Sequence, residues 1–203
     1  MKVVPPFGSS LLGFAVSTVI AAAMLGAHFT GPAELPELQD VPRYERAKFG
    51  EGWADLDGDC QDTRTEVLVR DLDDEHFGRG QCKVLSGVLN DPYTGRTLRF
   101  DPDGGGDEVH IDHVIPLAYA WRGGAWHWSD EQRRAFANDE ANLLAVDGPT
   151  NTAKGDSGPA EWMPPNTATH CDYAARWSDV LRRYDLAPTT EDAETLWRIN
   201  ARC

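Results

Sequence analysis

The run EVHIDHVIPLAYAW, residues 108 to 121, constrains the fold more than any other stretch of this chain. Its first half alternates apolar and polar residues as a half-buried strand does, and Pro116 lacks the backbone N–H that a continuing strand would need. Asp112 and His113 therefore stand side by side where the strand must end. Strict alternation would send the two side chains to opposite faces, so they can serve one site only if the backbone turns there.

The residues at this turn, and those that follow it, have complementary chemistry. Asp112 offers the hard carboxylate oxygens that Mg²⁺ prefers, and a neutral His113 imidazole can accept a proton from water. Downstream, Asn142 opens the run NLLAVDG, and Asn151 opens NTAKGD, which contains Lys154. Taken singly, the asparagines could be turn or capping residues, His113 a packed histidine and Lys154 a solvated side chain.

The N-terminus carries a membrane-directed segment. Residues 9–29 contain no Asp, Glu, Lys or Arg, and the segment is long enough to cross about 30 Å of hydrocarbon. We expect either a signal peptide, cleaved after Ala23 or near Ala27, or an uncleaved anchor. Residues 1–30 are assigned to this segment, 31–43 to a linker rich in proline and acids, and 44–203 to one domain. The protein is expected to be secreted or anchored outside the cytoplasm.

Four cysteines lie beyond that segment, at positions 60, 82, 171 and 203. An even number in an exported chain predicts two disulfides, and none of the spacings is that of a CxxC metal or redox pair. Three pairings are possible. Closeness in sequence favours Cys60 with Cys82 and Cys171 with Cys203.

Hydrophobic periodicity and turn residues predict an α+β domain. Residues 66–72 fit a strand or a short helix, and periodicity does not decide between them. The other predicted elements are a hairpin over 82–100, a strand over 109–117, a helix capped by Ser129, a short strand over 142–148, a short helix or turn over 149–156, and closing helices over 172–184 and 190–201.

The formal net charge of −14 argues against a broad basic face for nucleic acid. Any contact with phosphate must therefore be local. The basic residues that could form such a groove are Arg122, Arg133, Arg134 and Lys154. Four tryptophans could stack on bases, although packing in the core is the commoner role for them: Trp121, Trp126, Trp128 and Trp162.

DHVIPL, then Asn142, then NTAKGD resemble the HNH nuclease motif of the ββα-metal fold. The longer run over 111–166 and the upstream GWADLDGDCQDTRTEVLVRDL are similar to the exported branch of GmrSD-type HNH endonuclease domains, and the resemblance extends from about Tyr44 to Cys203. It implies an α+β fold with a ββα-metal (HNH) core, an additional hairpin, closing C-terminal helices and two disulfides.

The resemblance also implies a role for each matching residue. His113 would be the general base, and Asp112 and Asn151 would hold one divalent ion, with Mg²⁺ expected and Mn²⁺ or Ca²⁺ as alternatives. Asn142 would orient the His113 ring through its side-chain oxygen, and Lys154 would sit near the phosphate. The third motif position is often histidine in the family and is Asn151 here.

The implied activity is hydrolysis of phosphodiester bonds in DNA, and in RNA as a further substrate, leaving 5′-phosphate and 3′-hydroxyl ends. The expected partner is thus a nucleic acid; contact with a membrane would occur only through an uncleaved N-terminal segment, and the sequence indicates no protein partner. Two alternatives remain open. One is another metal-dependent phosphoesterase, and the other is a non-catalytic, calcium-binding surface module.

Two upstream clusters are further candidates. If DTRTE were extended, Asp62, Arg64 and Glu66 would share one face, so that Arg64 could grip a phosphate and Glu66 could approach the metal. An ion-pair network near Cys60 is the equal alternative.

DLDGD, residues 55–59, looks like the start of a calcium loop. Its glycine stands at the fourth position, however, where an EF-hand needs glycine at the sixth, so an acidic turn is favoured. His110 could be an additional partner of Asp112 or, as we favour, a polar residue on the exposed strand face.

Overall fold

The structure is a computed structural model that describes residues 41–203. The expected export segment and residues 31–40 of the linker lie outside the described residues. Within the described part of the chain, no helix combines the length and apolar content that crossing a membrane requires.

The described chain is a mixture of helices and two small antiparallel sheets. The strands are β1 (Leu72–Phe77), β2 (Val84–Asn90), β3 (Thr97–Phe100), β4 (Val109–His113) and β5 (Leu143–Asp147). The longer helices are α1 (Thr63–Asp71), α2 (Leu117–Arg122), α3 (Asp130–Ala137), α4 (Gly148–Lys154), α5 (His170–Tyr184) and α6 (Thr190–Asn200). This confirms the mixed composition that the periodicity predicts.

The first sheet has the order β1-β2-β3. The predicted hairpin is present: Asn90 pairs with Thr97 at its closed end, where Asp91 accepts from the backbone N–H of Thr94. β1 adds a strand that the sequence analysis did not predict. Residues 66–72, left undecided between strand and helix, belong almost wholly to α1, because Asp62 caps its first turn by accepting from the backbone N–H of Thr65.

The second sheet consists of β4 and β5 alone, in the register His113 to Leu143 and Val109 to Asp147. The strands β4 and β5 pair along their whole length, although α2 and α3 lie between them in sequence. β4 ends at His113, three residues before Pro116, as the proline predicts. α4 begins directly after β5, with Asp147 as its cap.

Two apolar clusters hold these elements together. One packs α1 on the first sheet and on β5, through residues that include Val67, Leu89 and Leu143. The other is aromatic and lies among α2, α3, α5 and α6, with Trp177 and Phe136 fully buried. The predicted tryptophan packing is confirmed in part, because Trp121 is buried in this cluster and Trp126, Trp128 and Trp162 pack against it.

Both favoured disulfide pairings are present. Cys60 is bonded to Cys82, and Cys171 to Cys203. The first joins the loop before α1 to the loop between β1 and β2, and the second closes the pair formed by α5 and α6.

Candidate functional site

The end of β4 brings Asp112 and His113 to one open cleft of about 280 Å³. Both residues are buried at its floor, at 5% and 7% exposure. The strand ends at His113, and the chain then turns into α2, so the two adjacent side chains reach the same cleft as the sequence requires. The polar residues that line the cleft are Tyr44, Arg46, Asp112, His113, Asn151 and Asp156.

The Asp112 carboxylate is held by two buried donors. The Lys154 ammonium lies 2.8 Å from both of its oxygens, and the Tyr93 hydroxyl donates to Oδ2 at 2.5 Å. Burial raises the pKa of Asp112, and the nearby Lys154 charge opposes that rise. Among residues 41–203, Oδ1 accepts from Lys154 alone, so a carboxylate lone pair is left for a further partner.

Lys154 lies in a different environment from the one that its predicted role requires. Its side chain is fully buried, its third hydrogen bond goes to the backbone oxygen of His113 at 2.8 Å, and burial lowers its pKa. An ammonium has three donors, and all three are engaged. Lys154 therefore fixes Asp112 and the end of β4, and has no donor free for a phosphate.

His113 has a defined tautomer. Its Nε2 lies 2.8 Å from the backbone oxygen of Ala137, the last residue of α3. A carbonyl oxygen can only accept, so Nε2 carries the hydrogen and Nδ1 carries the lone pair. The ring stacks on Trp53 at 5.5 Å between centroids and 12° between planes.

Burial lowers the pKa of His113; the hydrogen bond to Ala137 opposes this shift, the charges of Arg46 and Lys154 add to it, and the net pKa is about 3. The imidazole is therefore neutral at neutral pH. A neutral ring with one nitrogen held and the other carrying a lone pair can accept a proton from water.

Asn142 is also fully buried, but its partner differs from the predicted one. Its Oδ1 accepts from the backbone N–H of Ile115 at 2.8 Å, and its Nδ2 donates to the backbone oxygen of the same residue at 3.2 Å. These bonds prolong the pairing of β4 and β5 beyond His113. The predicted bond from Asn142 to the His113 ring is absent. Nε2 of the ring donates to Ala137, and both polar atoms of the Asn142 side chain bond to the backbone of Ile115, so Asn142 shapes the turn and does not hold the ring.

Asn151, in the first turns of α4, lines the cleft with Asp112 as predicted. Asp156 lines the same cleft just after α4, and one of its oxygens accepts from Arg122 at 2.6 Å. Carboxylate and amide oxygens around an open, water-accessible cleft form the donor set that Mg²⁺, Mn²⁺ or Ca²⁺ takes. The residues present thus fit a hard divalent ion.

Arg64 and Glu66 do not line this cleft. The prediction that all three residues share one face assumed an extended chain and is wrong, because they start α1, where successive positions turn by about 100° and Arg64 points away from Asp62 and Glu66. The Arg64 guanidinium packs over the ring of Phe100 at 5.8 Å. Burial raises the pKa of Glu66, with a further contribution from Glu140.

The acidic turn and His110 are not among the residues that line the cleft. Carboxylate oxygens of Asp55, Asp57 and Asp59 come within 4.8 Å of one another on the exposed surface. His110 pairs with Glu108 at 2.8 Å and is partly exposed, in agreement with the favoured surface role.

Four residues of the cleft region escaped the sequence analysis. Tyr93 and Arg46 come from segments distant in sequence from the motif and carry no local signal that would tie them to it. Trp53 lies in the run GWADLDGDCQDTRTEVLVRDL, whose resemblance to the same family could have drawn attention to it. Asp156 immediately follows NTAKG, so the motif itself could have drawn attention to it.

A larger cavity, of about 450 Å³, lies between α2 and the start of α6. Its buried carboxylate, Asp192, already accepts from the Tyr119 hydroxyl, the backbone N–H of Ala160 and Thr189. Because no motif residue lines this cavity, the smaller cleft is the better candidate for chemistry.

Comparison with known proteins gives the family to which the chain belongs. Residues 62–199 match the family described as GmrSD restriction endonucleases, C-terminal domain. A protein of Arthroderma benhamiae described as an uncharacterized secreted protein is 41% identical over 155 residues, covering 75% of this chain and 72% of the relative. No solved structure matches the chain significantly. The family match spans every residue of the cleft that follows α1, and the chain therefore belongs to the GmrSD restriction endonuclease C-terminal domain family.

Proposed function

We propose that this protein is an exported, metal-dependent endonuclease that hydrolyses phosphodiester bonds of DNA, and of RNA as a further substrate. One observation carries the proposal: a neutral His113 with a free ring nitrogen lies in the same cleft as the oxygen donors Asp112 and Asn151. In this proposal β4, β5 and α4 form a ββα-metal core. The secreted relative and the two disulfides support an extracellular location.

In the proposed reaction His113 is the general base. Nδ1 accepts a proton from a water molecule, and the bond from Nε2 to Ala137 stabilises the ring orientation while the ring becomes charged. Trp53 covers one face of the ring and limits its rotation. The hydroxide formed attacks the phosphorus, and the bond between the phosphorus and the 3′ oxygen breaks. Once the 3′ oxygen has taken a proton from water, the ends are a 5′-phosphate and a 3′-hydroxyl.

Asp112 and Asn151 would hold the divalent ion, and Asp156 offers a further oxygen. When bound, such an ion offsets the negative charge that builds on the phosphate and the leaving oxygen. Tyr93 and Lys154 restrict the Asp112 carboxylate to one orientation, and Asn142 holds the backbone that joins the base to α2. Arg64 and Glu66 have no part in this mechanism.

The test is cleavage of supercoiled plasmid by the full chain with both disulfides formed, in Mg²⁺, Mn²⁺, Ca²⁺ or EDTA. We expect nicking that requires metal and is abolished by His113→Ala. His110→Ala is the matched control, because it removes a histidine from the same strand that does not line the cleft.

Cleavage in EDTA at the rate seen with metal would contradict the proposed metal dependence, and a fully active His113→Ala would contradict the proposed base. If a folded sample hydrolyses a small phosphodiester such as bis(p-nitrophenyl) phosphate but no nucleic acid, the phosphoesterase alternative gains support. Calcium-dependent thermal stabilisation without any hydrolysis would support the surface module.

A further inference from the structure

The open question at this cleft is which cation meets the substrate phosphate. Three of the four residues expected to form a basic groove are engaged elsewhere. Lys154 binds Asp112, Arg122 binds Asp156, and the buried Arg133 donates to the backbone oxygens of Lys48 and Ala125. The fourth, Arg134, is absent from the residues that line the cleft.

Arg46 is the one Lys or Arg side chain, in the described part of the chain, that lines the cleft. It is exposed, and it forms no ion pair with a carboxylate among residues 41–203. Its charge lowers the pKa of His113, which places the guanidinium within electrostatic reach of the proposed base. Arg46 thus combines an uncompensated charge with access to the cleft.

The backbone around Arg46 is held in place by contacts of its neighbours. We call residues 41–54 the arm. The Trp121 indole donates to the backbone oxygen of Pro42 at 2.6 Å, and Arg133 Nε donates to that of Lys48 at 3.0 Å. Phe49 is buried in the aromatic cluster. The arm is therefore anchored on both sides of Arg46, while the guanidinium forms no ion pair with a described carboxylate and lies close enough to the Tyr44 hydroxyl to oppose the rise in the pKa of Tyr44 that burial causes.

The arm precedes the residues that match the family, which begin at position 62. The family match itself therefore gives Arg46 no role, and the sequence resemblance, which begins near Tyr44, has no motif residue at this position.

We propose that Arg46 binds the phosphate that is cleaved, with its guanidinium donating to the two non-bridging oxygens. This inference rests on the proposed nuclease function and identifies a substrate-binding residue for it. A guanidinium offers a planar pair of donors that matches two phosphate oxygens and keeps its charge at all relevant pH values. Such a contact also explains how a chain with a net charge of −14 can act on a polyanion.

The test compares Arg46→Ala and Arg46→Lys with Arg43→Ala in plasmid and oligonucleotide cleavage. Arg43 is the matched control because it is an exposed arginine of the same arm that does not line the cleft. We expect Arg46→Ala to lower kcat/KM by about 100-fold, the usual loss when one donor to a developing negative charge is removed. Arg46→Lys should recover only part, since lysine lacks the paired donors, and Arg43→Ala should stay close to the parent.

A binding measurement separates this inference from the nuclease proposal. In a His113→Ala background, binding of a short fluorescein-labelled oligonucleotide is followed by anisotropy. Arg46→Ala should weaken binding, whereas Arg43→Ala should not. A neutral methylphosphonate series, with the replacement moved along the oligonucleotide, should weaken binding at one position only when Arg46 is present.

If the parent cleaves nucleic acid but Arg46→Ala behaves like Arg43→Ala in cleavage and binding, the assignment of Arg46 is overturned and the nuclease proposal stands. If the parent cleaves nothing but binding depends on Arg46, the phosphate contact is supported and the nuclease proposal fails. If binding is equal in both variants and no substrate is cleaved, both fall.

Discussion

The motif region, residues 112–156, and the arm, residues 41–54, both line the cleft, but they hold their polar side chains in different ways. In the motif region, Asp112, Lys154 and Asn142 are buried, and their polar atoms are paired with one another or with the backbone. In the arm, Arg46 is exposed and its charge is unpaired by any described carboxylate, while backbone contacts hold the segment. Buried polar groups are costly unless they are paired, so they fix geometry. An exposed charge costs little, and it remains available to a ligand.

The largest expected effect tests the buried ion pair between Lys154 and Asp112 in the motif region. Lys154→Met leaves the Asp112 carboxylate buried without its cation, and we expect the free energy of unfolding to fall by about 3–5 kcal/mol. Denaturant unfolding at pH 7 measures it. The double variant Asp112→Asn/Lys154→Met removes both charges and should recover part of the loss; an unchanged midpoint in the single variant would show that the pair is not buried as described.

A second expected effect is acid destabilisation through His113. Its pKa is about 3 in the folded protein, far below that of an exposed histidine. The unfolded chain therefore binds the proton first as the pH falls. The contribution of His113 to the free energy of unfolding is fully present above about pH 6.5. It should fall by about 2 kcal/mol between pH 8 and pH 5.

Thermal unfolding of the parent and of His113→Gln across this range checks the assignment. The variant should lose less stability between pH 8 and pH 5 than the parent does, because it lacks the titrating ring. Parallel curves for the two proteins would mean that His113 titrates normally. The same low pKa predicts that cleavage retains its base well below pH 6.5.

The substitution Tyr93→Phe tests the second contact that holds the buried Asp112 carboxylate. The hydroxyl donates to the Asp112 carboxylate, and loss of a bond to a charged group should reduce the free energy of unfolding by about 1.5 kcal/mol. The variant should also bind divalent metal with a changed affinity by titration calorimetry, because Asp112 Oδ2 then accepts from Lys154 and no longer from Tyr93. Tyr44→Phe, at the cleft rim, is the matched control for removal of a hydroxyl.

The smallest effect tests how the arm is anchored. Asn138 Oδ1 accepts from the backbone N–H of Ala54 at 2.9 Å in a buried position. Asn138→Ala should lower the free energy of unfolding by about 1 kcal/mol and speed proteolysis of the arm. Asn200→Ala, which removes an exposed bond to Ser178, is the control. Equal proteolysis in the two variants would show that Asn138 does not hold the arm.

The sequence predicted that the strand carrying Asp112 and His113 ends before Pro116, while the grouping of Asn151 with them was implied by the resemblance to the HNH motif. It also predicted the hairpin and both disulfides, which depend on local turn residues and on chain separation. These features follow from interactions that are short in sequence.

The errors have physical reasons. Arg64 and Glu66 were assigned by a two-residue period, whereas the Asp62 cap starts a helix there and directs them elsewhere. Asn142 and Lys154 lie where expected, but burial gives them protein partners that a motif does not specify. Arg46 reaches the cleft only through packing of the arm, for which no local pattern exists.

The position of Arg46 within the arm has a consequence for protein engineering. The guanidinium forms no side-chain bond to Asp112 or Asn151, and the arm residue that stacks on His113 is Trp53. Exchange of positions 43–48 therefore leaves that stacking contact and the oxygen donors in place. A library randomised over positions 43–48 is the corresponding route to engineered variants with new preferences.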